Sequence, residues 1–451
     1  MNFERMPARR TFVDLFSGCG GLSLGLCQAG WRGRFAIERA TDAFETFREN
    51  FLGKDARFAF DWPVWLEQKA QSIDDVLEVH GARLSRMKGE IDLVAGGPPC
   101  QGFSFAGKRN AKDPRNQLSQ RYVDFVQHAQ PKFLVLENVP GMNVAHKSGR
   151  GKSCQTYYEK LLESLRFAGY EVSGRVLDAA DFGAPQRRAR LIAVGIRSDV
   201  SGYLSRAANS NPEDVLESVF DAIKKEGERQ LMRYGQGIRV TARDAISDLA
   251  VGSAKLENTE EYGGTPRRSG YRQVKYRGPM TPYQIEMSAG VAPAEMDSMR
   301  LARHRRDVEE RFEEILGTCP RGVNLSAELR ARLGMLKQRT VPMHPDKPAP
   351  TLTTLPDDIL HYRDPRILTV REYARIQSFP DWFRFKGKYT TGGTSRRHEC
   401  PRYTQVGNAV PPLLGRAIGA GLMACLSLSS RQVIQGGGIG QTVAGKEVFA
   451  I

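Results

Sequence analysis

The seven cysteines are odd in number and include no CxxC pair, so neither a disulfide framework nor a structural zinc site is expected, and a reducing cytoplasm suits the chain. Long hydrophobic runs are missing too. The longest apolar stretch, residues 417–428, falls well short of the ~20 residues that a spanning helix needs. The basic start, residues 1–10, does not read as a signal peptide, because Asp14 interrupts the apolar stretch that follows. No internal repeat recurs. His398 and Cys400 are neighbours, but His344, His361 and Cys319 stand at no ligand spacing from them, so no metal is expected. Acid is the scarcer charge: 66 Lys+Arg against 51 Asp+Glu leave a net +15, which points to a polyanionic partner, most simply nucleic acid.

What is present is ordinary for a folded protein. Hydrophobic residues make up 40% and charged residues 26%, which excludes wholesale disorder. At ~150 residues per domain, 451 residues allow two or three domains.

The first two hundred residues alternate short apolar runs with helix-period segments. Strands are expected at 12–16, 34–38, 91–95, 133–137 and 191–196, and helices at 22–29, 40–50, 121–130 and 155–168. Repeated βα units imply an α/β protein with a doubly wound, parallel, Rossmann-like sheet. After residue 200 the pattern changes. Residues 257–284 are rich in Gly, Pro, Arg and Tyr with little periodicity. Residues 295–316 read as a charged helix with Met299, Val308, Phe312 and Ile315 as its buried stripe. Patterned sequence returns at 367–379 and 412–425. The expected organisation is a first domain at 1–199, a second, smaller and irregular domain at 200–397, and a return segment at 398–451 that completes the first.

Four segments and one further acid carry chemistry. Asp14-Leu15-Phe16-Ser17-Gly18-Cys19-Gly20-Gly21 ends a strand in a glycine-dense loop that opens a helix, where backbone amides approach a ligand closely. Glu38 ends the next strand ~20 residues on, where such folds set an acid on ribose hydroxyls. This geometry suits NAD, FAD or S-adenosylmethionine alike. Gly96-Gly97-Pro98-Pro99-Cys100-Gln101-Gly102 follows another strand, so Cys100 belongs outside the carboxyl end of the sheet. The commoner fate of cysteine is inert burial, which fits poorly in a loop of Gly, Pro, Gln, Ser and Lys. Glu137-Asn138-Val139 ends a neighbouring strand, and Gln186-Arg187-Arg188-Ala189-Arg190 precedes another. Taken singly, the first reads as a helix-capping acid and the second as a solvated basic turn.

Together, in this order and over nearly the whole chain, these segments resemble the cytosine-C5 DNA methyltransferases. The resemblance implies that Phe16, Ser17, Gly18, Gly20, Gly21, Glu38, Asp61, Pro98, Leu118, Asn408 and Ala409 form the S-adenosylmethionine pocket, with Asp61 meeting the adenine amino group. Residues 113–118 resemble the segment that lines the cofactor, residues 366–381 the motif that supports a target-recognition domain, and residues 405–412 the motif that returns to the cofactor pocket. Arg39 departs from the pattern, since many members carry there an aromatic that stacks on adenine. Cys100, Glu137, Arg188 and Arg190 would be the catalytic set.

The implied chemistry explains these residue types. Cytosine C5 is a poor nucleophile, and a thiolate of Cys100 adding to C6 makes the ring an enamine able to take a methyl group at C5. Glu137 would hold a proton at N3, Arg190 would hold O2, and Arg188 would orient Glu137 or Arg190. Phe16 would lie near the cofactor sulfonium. The target base must be extruded from the duplex. The loop at 102–110, with Ser104, Lys108 and Arg109 and preceded by Gln101, would close over it. Tyr262, Arg267, Arg268, Tyr271, Arg272, Lys275, Tyr276 and Arg277 interleave aromatics with cations suited to phosphate and base-edge contact. Arg300, Arg303, Arg305 and Arg306 form a second cluster, part of which reads as a solvated helix face with pairs such as Arg306–Glu310. The expected partner is double-stranded DNA, with a cognate restriction endonuclease acting separately, and the expected state is a monomer. A tRNA-cytosine enzyme of the same family is the first rival, but its recognition region is usually shorter. A silent DNA-binding module would not need Cys100, Glu137 and Arg190. A dinucleotide oxidoreductase leaves residues 186–190 unexplained, and adenine-N6 methylation calls for a different motif around the paired prolines.

Overall fold

The computed structural model of the protein describes residues 10–99, 117–143, 156–235, 237–252, 254–261, 270–276, 278–391 and 398–435. The first domain is laid down in order as β1 (Thr11–Leu15), α1 (Gly21–Gln28), β2 (Arg32–Ile37), α2 (Thr41–Phe51), α3 (Ile73–Arg86), β3 (Leu93–Gly96), α4 (Gln117–Ala129), β4 (Phe133–Asn138), α5 (Tyr157–Phe167), β5 (Tyr170–Asp178), β6 (Ala189–Arg197), α6 (Ser198–Ala208) and α7 (Pro212–Tyr234). Local sequence accounts for the helix starts. Ser72 with Asp75, and Thr156 with Glu159, close reciprocal capping boxes on α3 and α5. Asn211 caps α7 with Pro212 in its first turn.

The sheet order is β2-β1-β3-β4-β6-β5. The first four strands are parallel, as expected, but β6 runs antiparallel to β4 and β5 antiparallel to β6. The expected all-parallel sheet is therefore corrected to a mixed one. The short link from β5 to β6 makes a turn rather than the helical crossover that parallel strands require. Strand β5 gives a weak apolar signal because, at the sheet edge, it buries only Tyr170 and Val172 and leaves its remaining positions half-buried or exposed. The antiparallel β6 has a consequence for chemistry. Its first residues, Ala189 and Arg190, lie at the same edge as the carboxyl ends of β1 to β4, since Asn138 pairs with Leu191 and Glu137 with Ile192.

Beyond α7 come α8 (Ala242–Ile246), the antiparallel pair β7 (Leu256–Thr259) and β8 (Tyr271–Val274), α9 (Pro282–Ser288), α10 (Arg306–Thr318), α11 (Ala327–Arg332) and α12 (Val370–Ile376), then α13 (Arg402–Asn408) and α14 (Pro412–Gln435). The boundary expected at residue 200 does not hold. Val200, Leu204, Val215, Val219 and Ile223 of α6 and α7 join the same core as Phe12, Leu24 and Ile418. So do Ala245 and Ile246 of α8, and Leu368 to Phe385 around α12. Among the described residues of this region two small clusters stand apart: Leu249, Val274, Met296 and Met299 in one, and Phe312, Ile315, Cys319, Leu325 and Leu333 with Leu360 and Ile367 in the other. Met299 thus leaves the stripe assigned to it. The helix starts only at Arg306, because Ser298 takes a left-handed φ of 62° and Arg300 pairs as extended chain with Gln273.

Helix α14 is long and apolar enough by composition to cross a membrane, yet it packs between α1 and α7 as a core helix. Its approach is extreme. A Cβ on Gly25 would lie 2.3 Å from the Pro412 carbonyl oxygen and 2.5 Å from the Arg416 nitrogen, and one on Gly21 2.3 Å from the Val410 carbonyl oxygen. Within the first unit, Ser23 Oγ of α1 donates to Asp14 Oδ2 of β1 at 2.6 Å, fully buried. Burial pushes the Asp14 carboxyl up to about 7, against the pull of Ser23.

Two tests follow from these contacts. Gly25→Ala should destabilise by about 3 kcal/mol, the top of the usual overpacking range, because backbone cannot move aside. Gly30→Ala, with φ of 97° and open space around it, should cost only the ~1–2 kcal/mol of a left-handed alanine. Urea unfolding measures both, and equal losses would contradict the packing account. For Asp14, a folded-state pKa above the unfolded 3.8 gives stability that is complete below about pH 4 and lost as pH rises through about 7. Wild type should therefore lose up to ~4 kcal/mol relative to Asp14→Asn across that window. A constant difference between the two proteins would contradict it.

Candidate active site

Four loops meet at the carboxyl edge of the parallel strands, on both sides of the point where strand order reverses between β1 and β3. The loop after β1 holds an unusual backbone. Phe16 has φ of 60°, Gly18 55° and Gly20 96°, and Ser17 N donates to the Ile37 carbonyl at 3.1 Å. A left-handed Phe is costly, and such strain collects at sites that hold ligands. Glu38 Oε2 accepts from Gly18 N at 2.9 Å and Oε1 from Ala40 N at 2.7 Å, so the acid fixes the loop from the next strand. Burial raises the Glu38 carboxyl from its ordinary value despite those two donors. Among the described residues the buried Ser17 Oγ has no partner, a polar atom suited to a ligand. Phe16 and Leu118 both pack at the margin of a core built on Val13, Leu15, Phe35, Val94 and Leu134, on the sheet.

The return segment closes this pocket. Ala409 and Val410 sit directly on Gly21. Asn408, the last residue of α13, is exposed, and Gln377 Nε2 donates to the carbonyls of Val406 and Ala409 at 3.0 and 2.6 Å. Gln186 in turn donates to the Gln377 amide oxygen. These two buried glutamines join three distant segments, and their role was not read from sequence, where a lone Gln carries no signal.

Asp61 does not join the pocket. Its N–H bonds the Gly33 carbonyl and its carboxylate pairs with Arg32, so it lies beside the start of β2, at the opposite end from Glu38. The spacing misled because the chain after α2 runs along β2 and reaches the carboxyl edge only later: Gln71 N donates to the Glu38 carbonyl at 2.9 Å. Residues Gln71 and Ser72, not Asp61, cross the end of β2. Arg39 beside them is exposed.

On the other side of β1, Gly97 and Pro98 follow β3. A Cβ on Gly97 would lie 2.8 Å from Glu137 Oε2, so glycine leaves room for that carboxylate. Asn138 Nδ2 donates to the Pro98 carbonyl at 3.2 Å, tying the end of β4 to the loop. Glu137 Oε1 accepts from Arg190 Nε at 2.7 Å, both side chains largely buried. A charged pair held out of water at a sheet edge is poised to act on a ligand with adjacent acceptor and donor atoms. Arg188 behaves otherwise than expected. It orients neither Glu137 nor Arg190 through a hydrogen bond, but is fully buried and donates to the carbonyls of Leu352 at 3.1 Å and Gly407 at 2.8 Å. Burial holds its guanidinium below the ordinary arginine value, with Arg190 adding to the effect and Glu137 opposing it. Its position just before β6 turns it under the site, towards the return segment.

Cys100, Gln101, Ser104, Lys108, Arg109 and Arg277, with Tyr262, Arg267 and Arg268, lie outside the described residues. Arg272 and Lys275 are exposed on and beside β8. Tyr276 is not available to bases, since its hydroxyl donates to Asp248 at 2.9 Å. The second basic cluster divides as anticipated: Arg306 pairs with Glu310 at 2.9 Å and Arg305 with Asp307 at 3.3 Å, both exposed. Among the described residues, no group of His, Cys, Asp and Glu is arranged to hold a metal.

The chain is similar to known proteins along most of its length. A family model for C-5 cytosine-specific DNA methylase matches residues 10–424. The type II methyltransferase M.DdeI of Desulfomicrobium norvegicum is 32% identical over 90% of this chain and 86% of its own length. The type II methyltransferase M1.HphI of Haemophilus parahaemolyticus is 31% identical over 90% and 85%. A solved E. coli prophage-encoded protein described as a DNA modification methyltransferase shares the fold at 23% identity and a TM-score of 0.57, over 93% of this chain and 99% of its own. With the family matched along nearly its whole length, the chain belongs to the C-5 cytosine-specific DNA methylases.

Proposed function

We propose that the protein methylates C5 of a specific cytosine in duplex DNA, with S-adenosylmethionine as donor and Cys100 as a nucleophile that adds to C6 of an extruded base. The observation that carries this reading is the Glu137–Arg190 pair, set at one edge of the sheet beside Pro98, two residues before Cys100 in the chain. S-adenosylmethionine supplies the methyl group when bound. The residues present fit it: among the described residues the buried Ser17 hydroxyl has no partner, Glu38 suits ribose hydroxyls, and the loop from Phe16 to Gly20 is held in a left-handed backbone by Glu38 and the end of β2. Phe16, Pro98, Leu118, Asn408 and Ala409 would complete the pocket, and Gln71 or Ser72 would stand where Asp61 was expected.

Cytosine presents N3 and O2 side by side, which matches a carboxyl group and a guanidinium already joined to one another. Glu137 would hold a proton at N3 and Arg190 would donate to O2, so that charge developing on the ring after thiolate addition is met without rearrangement. Once C5 is methylated, its proton leaves to a base, the C6–S bond breaks, and the thiolate of Cys100 is restored. Arg188 would be a positioning residue, holding the start of β6 to Gly407 and Leu352. Arg272, Lys275 and Arg277 would meet the duplex. A role in restriction–modification rests on the type II methyltransferases among the relatives, and a cognate endonuclease would act separately.

Cys100→Ser tests the chemistry. Oxygen is the weaker nucleophile here, so transfer of tritiated methyl groups to DNA should be nearly abolished, while calorimetry should show cofactor affinity unchanged, because Phe16 and Glu38 are intact. Near-normal turnover in this variant would refute the mechanism.

A further inference from the structure

Arg300 and Arg303 differ from their neighbours Arg305 and Arg306 in that each has a tyrosine ring beneath its guanidinium. The Arg300 guanidinium lies 4.1 Å from the Tyr271 ring centre and 3.7 Å from that of Tyr389. Arg303 lies 5.9 Å from Tyr271, and Arg402 lies 4.6 Å from Tyr389. The five side chains make a continuous stack, Arg402–Tyr389–Arg300–Tyr271–Arg303, that runs from the core to the surface. Arg402 and Tyr389 are buried, Arg300 and Tyr271 half-buried, and Arg303 exposed.

The two ends of the stack belong to different functions. Arg402 opens α13, the helix that ends in Asn408, and is held by Glu261, by the Ser298 hydroxyl at 3.0 Å and by the Gly387 carbonyl at 3.0 Å. Tyr271 opens β8, next to exposed Arg272. Arg300 joins them, and its backbone also pairs with Gln273 as a short third strand. A planar guanidinium can face two rings at once, and an ammonium cannot do so with the same geometry.

We propose that Arg300 is a positioning residue for target selection: held against Tyr271 and Tyr389, it fixes the β7–β8 ribbon relative to the return helix, and so sets which base edges the ribbon reaches. This rests on the reading of the protein as a sequence-specific DNA methyltransferase. A displaced ribbon meets cognate and near-cognate sites alike, so loss of the stack lowers selectivity without touching the cofactor pocket. If Arg300 instead served as a phosphate contact, lysine would largely replace it, and its removal would weaken all duplexes equally.

The test is methylation of a randomised duplex library, followed by kcat/KM on the preferred site and its single-mismatch variants at two salt concentrations, with cofactor affinity from calorimetry. Arg300→Lys should lower the ratio between preferred and mismatched sites about tenfold, equivalent to ~1.4 kcal/mol, with the salt slope unchanged and cofactor affinity within about twofold of wild type. Tyr389→Leu should reproduce this loss, and Tyr389→Phe, which keeps the ring face, should retain selectivity. Selectivity preserved in Arg300→Lys overturns the inference, as does an equal loss on every duplex with a salt slope smaller by ~1. Weakened cofactor binding with unchanged selectivity, or Tyr389→Phe behaving as Tyr389→Leu, overturns it as well. A wild-type protein that methylates no duplex would refute the activity itself, and this inference with it.

Discussion

The backbone contact between α1 and the start of α14 is the constraint on which the remaining architecture depends. Two glycines a helical turn apart, Gly21 and Gly25, let the chain at Val410 to Arg416 approach closer than any side chain would allow. Because the helix that fills this place comes from the far end of the sequence, the chain must return to the first core after the β7–β8 ribbon and the segments around it. The same contact sets Ala409 and Val410 on Gly21, at the end of the glycine loop of β1. The proposed cofactor pocket and the domain topology thus share one cause. Trp31 Nε1 donating to the Gly419 carbonyl at 2.9 Å, and Gln230 Nε2 to the Leu413 carbonyl at 3.2 Å, pin the helix along its length.

Helix α12 performs the matching task for the inserted region. Its Arg371, Glu372 and Arg375 are all fully buried, a costly placement unless each charge is met. Arg375 meets Asp248 and Asp381, Glu372 meets Arg366, and Arg371 meets Asp297. Asp248 and Asp297 come from separate stretches around the β7–β8 ribbon, so a single seven-residue helix fixes their register against the catalytic core. Leaving one of these charges without its partner would cost ~3–5 kcal/mol, which makes the arrangement intolerant of slippage.

Much of this was legible in the sequence because the informative features are local. The strands β1 to β4 announce themselves as apolar runs that end in glycine or acid, and Phe16, Glu38, Glu137 and Arg190 follow from their places at strand ends. Glu137 and Arg190 do come together, although the reason, an antiparallel β6, was not visible: alternation at an edge strand such as β5 is too weak to read. Asp61 failed because spacing along the chain says nothing of which end of β2 the chain passes. The boundary at residue 200 failed because α6 and α7 are amphipathic helices whose apolar face needs α14, which comes from the far end of the sequence. The stack around Arg300 had no signature at all, since its members lie scattered from Tyr271 to Arg402.

The central claim is a covalent bond between Cys100 and cytosine C6, and trapping that bond tests it most directly. A duplex carrying 5-fluorocytosine at the target position, incubated with the protein and S-adenosylmethionine, cannot release its C5 substituent as a proton. The account predicts a protein–DNA adduct that survives denaturing electrophoresis, maps to the peptide containing Cys100, and is absent in Cys100→Ser. A duplex that is methylated well with ordinary cytosine yet yields no adduct with the fluorinated base would contradict it.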